Sequence, residues 1–286
     1  MRRASAIAKD AGDIETVEDL TDVFESLASS QVSKIKTKVE LSKEFFDLLW
    51  AKYTSLRADS RSRITHREGP LNGRIVFVVI SAEAGLSGDI DQRLIEAVLK
   101  DYDAKTTDLI VLGSHGAQQL RQRGIAYRRY FQVPQTENYV DVSPVLEAIA
   151  PYQEAKVYYE EYISLGVQGI KKIDLIQTIR TMSQANDDDE NVISEAETIF
   201  EPSLEEIANT MEEAMMSLAF SQAILESSLA QDASRFNAMA IAKKRAIELL
   251  NLYRLEFHRS KRYESDRRMR EVIISLKRKK QSRHHV

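Results

Sequence analysis

The 286-residue chain has no cysteine. That excludes a disulfide framework, a thiolate zinc site and a cysteine nucleophile, and it suits a reducing cytoplasm. Chain breakers are also scarce: 10 Gly and 5 Pro, roughly half the combined share of an average soluble protein. Residues 13–68 and residues 203–286 contain neither, so all except Gly12 fall between Gly69 and Pro202. Breakers confined to the middle predict two long uninterrupted helices flanking one compact domain. No apolar run approaches the length of about 18 residues that a transmembrane helix needs. The start of the chain has two arginines but no apolar core, so it does not read as a secretory signal. Neither sign of charge dominates, with 40 Lys and Arg against 44 Asp and Glu. The distribution is nonetheless uneven. Residues 10–25 hold seven acids and no base, and residues 259–283 hold eleven bases against three acids.

What is present falls into three parts: an N-terminal coiled-coil helix in residues 1–68, an α/β domain in 69–202, and a C-terminal coiled-coil helix with a basic tail in 203–286. In the first part, Leu20, Val23, Phe24 and Leu27 recur at spacings of three and four. Ile35, Val39, Phe46, Leu49, Tyr53 and Leu56 prolong the stripe. The helix is expected from about Ile14 to Arg57, with Thr16 or Asp13 as its N-cap. Such a rod, roughly 60 Å long, cannot bury its stripe alone and needs a partner helix. The third part supplies one. Pro202, Ser203, Glu205 and Glu206 read as a helix start. Ile207, Met211, Met215, Leu218, Leu225 and Leu229 begin a stripe that Phe236, Met239, Leu250, Tyr253, Phe257, Met269, Val272, Ile273 and Leu276 continue less regularly. Small residues in 230–246 would allow close helix approach or a tight surrounding sleeve.

The middle part changes period. Residues 74–80 and 108–113 are continuous apolar runs of strand length, typical of a sheet covered on both faces. Residues 92–102 read as a helix between them, giving a β-α-β unit. Residues 156–159 and 173–179 are further strand candidates, and Asp187, Asp188, Asp189 and Glu190 read as a solvated loop.

Few residues offer bond chemistry. The loop from Glu83 to Asp89 lies between a strand and a helix, where phosphate-binding loops sit, but it lacks both the three-glycine and the Gly-Lys-Ser/Thr signatures. Asp89 would repel a phosphate there, so a structural turn is the better reading. Ser114, His115 and Gly116 also follow a strand, without the Gly-x-Ser-x-Gly elbow of a hydrolase. No His-x-x-x-His spacing suggests a metal site. Lys277, Arg278, Lys279 and Lys280 form a basic run with little aromatic company beyond Tyr263, so a solvated or protein-facing helix end is preferred over nucleic-acid binding. No catalytic, cofactor-binding or metal residue is assigned.

The order of local sequences nevertheless points somewhere. Leu225, Glu226, Ser227, Ala233, Ser234, Arg235, Ala238 and Met239 sit in a run, 224–239, that resembles the Leu-x-Glu-Ser-x-Ala-Ser-Glu-x-Ala-Ser-Arg-x-x-Ala-Met pattern of the gamma subunit of F-type ATP synthases. Phe200, Glu201, Pro202 and Ser203 match that family's approach to its C-terminal helix. Residues 81–88 resemble its post-strand loop. Gly113, Ser114, His115 and Gly116 with Arg123 and Gly124 resemble a second pair of turns. Leu20 and Thr21 with Leu27, Ala28, Ser29 and Ser30 resemble its N-terminal helix signature. The resemblance covers essentially the whole chain. It implies an antiparallel coiled coil of the terminal helices, with an inserted small Rossmann-like α/β domain. It further implies a non-catalytic rotor shaft, one copy per complex, inside a ring of alpha and beta subunits. The α/β domain would form a foot beside the epsilon subunit and the membrane c-ring, on the cytoplasmic face of a bacterial membrane. A coiled-coil adaptor or scaffold with an inserted α/β domain is the alternative; it leaves the 224–239 run unexplained.

The chain also departs from the family pattern. Lys261 and Arg262 stand where Arg-Gln is usual, and Ser265, Asp266, Arg267 and Arg268 stand where Ile-Thr-Gln-Glu is usual. The N-terminal helix, usually basic near Thr21, carries Glu15, Glu18, Asp19, Asp22 and Glu25. Lys261, Arg262, Arg267 and Arg268 are therefore the candidate ring-contact residues. Glu18, Asp19, Asp22 and Glu25 are the candidate inter-helix charge partners. An antiparallel register with residues 15–25 opposite 260–270 would pair the two sets. Residues 277–286 continue past the family's usual end and are given no role.

Overall fold

The computed structural model describes residues 3–56, 72–133, 141–174 and 204–282. Helix α1 spans Ala4–Leu56. A sheet with short helices follows: β1 Ile75–Ile80, α2 Ile90–Asp101, β2 Thr107–Leu112, α3 Ser114–Gln122, β3 Arg129–Phe131, α4 Ser143–Ile149, β4 Glu154–Ser164 and β5 Val167–Asp174. Helix α5 then runs Leu204–Ser282, 79 residues without a break. Long N- and C-terminal helices thus bracket a central α/β sheet, as the placement of Gly and Pro implies. Among the described residues no helix is long and apolar enough to cross a membrane.

The sheet has strand order β3-β2-β1-β4-β5. β1 pairs in parallel with β2 and β4, β2 pairs in parallel with β3, and β4 turns back on β5 in an antiparallel hairpin. The unbroken apolar run of β1 follows from cover on both faces. Val76, Val78 and Ile80 join Ile110, Leu112, Val157 and Tyr159 in one core, while Phe77 and Val79 join Leu109, Val111 and Tyr158 in the other. Leu94, Ile95 and Val98 of α2 and Ala117 and Leu120 of α3 close the second core. The first is closed by Val145 and Ile149 of α4 and by Phe220, Ala223 and Ile224 of α5. The long helix is therefore structural cover for the sheet as well as a coiled-coil partner.

By contacts the chain divides into two units, Ala28–Asn237 and the pair Met1–Leu27 with Ala238–Val286. In the latter, α1 and α5 form an antiparallel pair. Partly or fully buried positions along α1 include Ala4, Ile7, Ala11, Ile14, Glu18, Thr21 and Glu25; along α5 they include Met239, Lys243, Ala246, Leu250, Tyr253, Phe257, Ser260 and Glu264. Both sets alternate steps of three and four, the period of a coiled-coil seam.

Several expectations are corrected. α1 begins at Ala4, ahead of Ile14, because Ala4 and Ile7 are buried and the segment is rich in alanine. Asp13 and Thr16 lie inside the helix rather than at its cap, and Thr16 Oγ1 donates back to the Gly12 carbonyl at 3.0 Å. Leu20, Val23, Phe24 and Leu27 do not form the seam: they are 52%, 55%, 37% and 55% exposed. The inward positions go instead to Ala4, Ile7, Ala11, Ile14 and Thr21, with Glu18 and Glu25 partly covered. Met269, Val272, Ile273 and Leu276 of α5 are likewise exposed, whereas Leu250, Tyr253 and Phe257 do lie on the seam. β5 starts at Val167, earlier than expected, because the hairpin turn at Leu165 and Gly166 sets its register against β4. The expected strand residues 175–179, the acidic loop at 187–190 and the helix start at 200–203 lie outside the described residues.

Candidate functional site

Two sequence motifs separated by about 140 residues in the chain meet in the unit 28–237. The loop after β1 lies against the 224–239 run of α5. Ser234 Oγ donates to the Ser87 carbonyl at 2.6 Å, and Arg235 reaches the carbonyls of Gly85 and Ala84 at 3.3 and 3.4 Å. Arg235 is itself aimed by an ion pair with Asp232 one turn earlier. Asn237 Nδ2 donates to Leu165 O at 2.6 Å, tying the β4–β5 turn to the same helix. Ala230 and Ala233, just before these anchors on α5, are fully buried, so a larger side chain at either would force the packing around the helix to shift.

The loop is built from internal carboxylates. Glu83 accepts the backbone N–H groups of Ser114 at 3.1 Å and Val133 at 2.7 Å. Asp91 accepts from Ala82 N at 2.9 Å and Ser87 Oγ at 2.8 Å and faces His115 Nδ1 at 3.2 Å. Side-chain oxygens thereby occupy donors that a bound phosphate would use, and the turn reads as structural. Ser114 Oγ donates to the Glu83 carbonyl at 2.8 Å rather than to His115, so serine and histidine form no nucleophile–base pair. Gly113 and Gly116 belong to a close approach of β2 and α3 to Ser81, whose hydroxyl accepts the Gly116 N–H at 3.0 Å. Among the described residues no group of His, Asp and Glu side chains is placed to hold a metal ion.

Beneath this joint lies Glu160 of β4, which is fully buried. Its Oε2 accepts from Ser227 Oγ and from Gln231 Nε2, both at 2.6 Å. Burial pushes its carboxyl well above the usual carboxylate range, and the Asp91 charge pushes the same way, against the pull of the two hydrogen bonds. Nearby, Tyr159 donates to Glu226 of α5 at 3.1 Å. Burial raises the Glu226 carboxyl, partly offset by Lys171. Sequence reading missed Glu160 and Asp91; an acid at an inward position of an apolar strand was the available signal.

In the helix pair, Asp22 and Glu25 of α1 both reach Lys243 of α5, the second at 3.5 Å. The Asp22 carboxylate holds the Lys243 ammonium above the usual lysine range. Glu15 pairs with Arg254 at 3.8 Å, and the Ala4 N–H donates to the Glu264 carboxylate at 3.0 Å. The register therefore sets residues 15–25 opposite 243–254, not 260–270. Steric fit of the buried seam decides it, not the charge count. Glu18 and Asp19 make no ion pair among the described residues, and none of the four acids meets Lys261, Arg262, Arg267 or Arg268. Those four bases are exposed. Arg267 pairs along its own helix with Glu271 at 3.0 Å, and Lys261 Nζ lies 5.7 Å from the Phe257 ring centre.

Long N- and C-terminal helices with a small parallel-centred sheet inserted between them in the chain define the class, a helical pair carrying an α/β insert. The family model described as ATP synthase matches residues 4–274. The ATP synthase gamma chain of Cytophaga hutchinsonii is 26% identical over 215 residues, 70% of this chain and 72% of that one. That of Clostridium kluyveri is 19% identical over 269 residues, 91% of this chain and 92% of the relative. Among solved structures, a central stalk/c-ring chain of the Tetrahymena thermophila mitochondrial ATP synthase matches with a TM-score of 0.57 and 18% identity. That match covers 78% of this chain and 99% of the other. The chain belongs to the ATP synthase gamma-subunit family.

Proposed function

We propose that this chain is the central rotor shaft of a rotary F-type ATP synthase. It couples ion flow through the membrane ring to the conformational cycling of catalytic beta subunits and does no bond chemistry itself. The observation that carries the reading is the unused apolar face of the helix pair. Leu20, Val23 and Leu27 of α1 and Leu249, Leu252 and Leu255 of α5 are all about half exposed although their helices are already paired. Apolar stripes left exposed on helices that are already paired point to an interaction site, and a sleeve of alternating alpha and beta subunits would cover them. The exposed bases Lys261, Arg262, Arg267 and Arg268 would then meet acidic loops of the beta subunits. The α/β domain would seat beside the epsilon subunit and the c-ring, placing the chain peripherally on the cytoplasmic face of a bacterial membrane. In this reading residues 1–68 and 203–286 are the shaft and residues 69–202 the foot.

Native mass spectrometry of the chain purified from its own cells in mild detergent tests this. Three copies each of two nucleotide-binding subunits per copy of this chain are expected. A stable monomer or dimer without such a ring overturns the proposal.

A further inference from the structure

Glu160 and Asp91 form a pair of acids at the joint between α5 and the sheet, both shut from solvent. Their hydrogen-bond environments differ. Asp91 accepts from Ala82 N on one oxygen and from Ser87 Oγ on the other, and faces His115 Nδ1, so both its oxygens have partners. Glu160 accepts on Oε2 alone, from Ser227 and Gln231 of α5. Its Oε1 is buried and receives no N–H or hydroxyl donor among the described residues. What lies against Glu160 instead is the Asp91 carboxyl. Two carboxylates facing each other in a buried site cannot both ionise at modest cost. A proton on Glu160 Oε1 resolves both problems. It satisfies the orphan oxygen, and it turns a repulsion into a hydrogen bond to Asp91.

We propose that Glu160 and Asp91 share one proton, and that this proton latches residues 224–237 of α5 to the sheet, making the docking of the helix sensitive to pH. The groups facing the pair are few. α2 contributes Asp91 itself, α3 contributes His115 against Asp91, and the loop contributes the neutral Ser87. α5 contributes the neutral Ser227 and Gln231, with Arg235 and Asp232 neutralising each other one turn on. Among the described residues Glu160 makes no ion pair with a Lys or Arg, which leaves a proton to offset its charge. When Glu160 ionises, its charge faces Asp91, and the strain falls on the elements that position the two acids: β4, α2 and the Ser227–Gln231 turn of α5. The sign follows from linkage. The docked chain keeps a proton that the unfolded glutamic acid releases near pH 4.5, so docking is fully favoured below that pH and weakens as pH rises through the docked-state pKa. The device resides within the 28–237 unit and does not depend on the assembly proposed above.

Hydrogen exchange on the full chain tests it, with intrinsic exchange rates divided out. In the wild type, the opening equilibrium of residues 224–237 should rise by up to about tenfold per pH unit above about pH 5. Glu160→Gln, an uncharged isostere able to donate to Asp91, should keep the segment protected and flatten that slope. Parallel slopes in the two proteins, or an open segment in Glu160→Gln at every pH, would overturn the proposal. Infrared spectroscopy covers the case in which the variant does not fold. Above pH 4.5 the wild-type chain should show a protonated-carboxyl carbonyl band whose frequency Asp91→Asn shifts, because the acceptor of the Glu160 proton changes. Absence of the band, or an unchanged frequency in that variant, would sink the idea.

Discussion

At the scale of single residues, the turn after β2 leaves no room for a side chain. A methyl group at Gly113 would lie 2.1 Å from the Ser81 carbonyl oxygen, at a residue already held at φ 95°. One at Gly116 would lie 2.4 Å from Ser81 Oγ. Backbone cannot yield as a flexible side chain can, so Gly113→Ala should destabilise the chain by at least about 2 kcal/mol. Gly116→Ala, meeting a hydroxyl that can turn, should cost about 1–3 kcal/mol. Guanidinium melts of the full chain would measure both, and Gly124→Ala, with no atom within 4 Å, is the comparison for positive φ without crowding. These glycines were visible as a motif in the sequence. Their cause was not, because Ser81 stands more than thirty residues away.

At the scale of elements, inward and outward faces of α1 give opposite expectations. Ile7, 3% exposed on the seam, should cost about 2–4 kcal/mol when changed to alanine. Leu20, half exposed, should cost under about 0.5 kcal/mol in the isolated chain. Equal losses at the two positions in a denaturant titration would contradict the observed seam. On α5, Phe220 is fully buried in the sheet's first core, so Phe220→Ala should cost about 3–5 kcal/mol, read by the same titration. The helical character of α1 and α5 was legible from their periodicity and lack of breakers. Their rotational setting was not. Leu20, Val23, Phe24 and Leu27 look like a core stripe in isolation, and only the partner helix shows that Ile7, Thr21 and Glu25 face inward. The ion pairs at Lys243 repeat the point: which base meets Asp22 follows from where the seam sets the register.

At the scale of the whole molecule, the outward apolar faces matter only in an assembly. Leu20→Glu combined with Leu27→Glu should leave the melting of the isolated chain nearly unchanged. In a reconstituted complex the same variant should lower the ATP-driven torque of single-molecule rotation several-fold. Undiminished torque would show that a ring does not grip this face. The charge pattern makes a weaker handle. Exposed ion pairs contribute about 0–1 kcal/mol and are screened by salt, so the acidic N-terminal and basic C-terminal stretches add little to stability.

The sequence alone determined the sequence-local properties of this protein: two breaker-free helices and buried parallel strands between them. Each rests on residue type and short-range spacing, which propensity and periodicity report directly. Tertiary structure alone decided which side of each helix is covered, which residues of α1 and α5 stand opposite, and that Glu160 and Asp91 share a buried site with Ser227 and Gln231. Those outcomes depend on packing between residues up to about 260 positions apart in the chain, such as Ala4 and Glu264. Close-packed interiors select among registers by steric fit, and no local pattern carries that information.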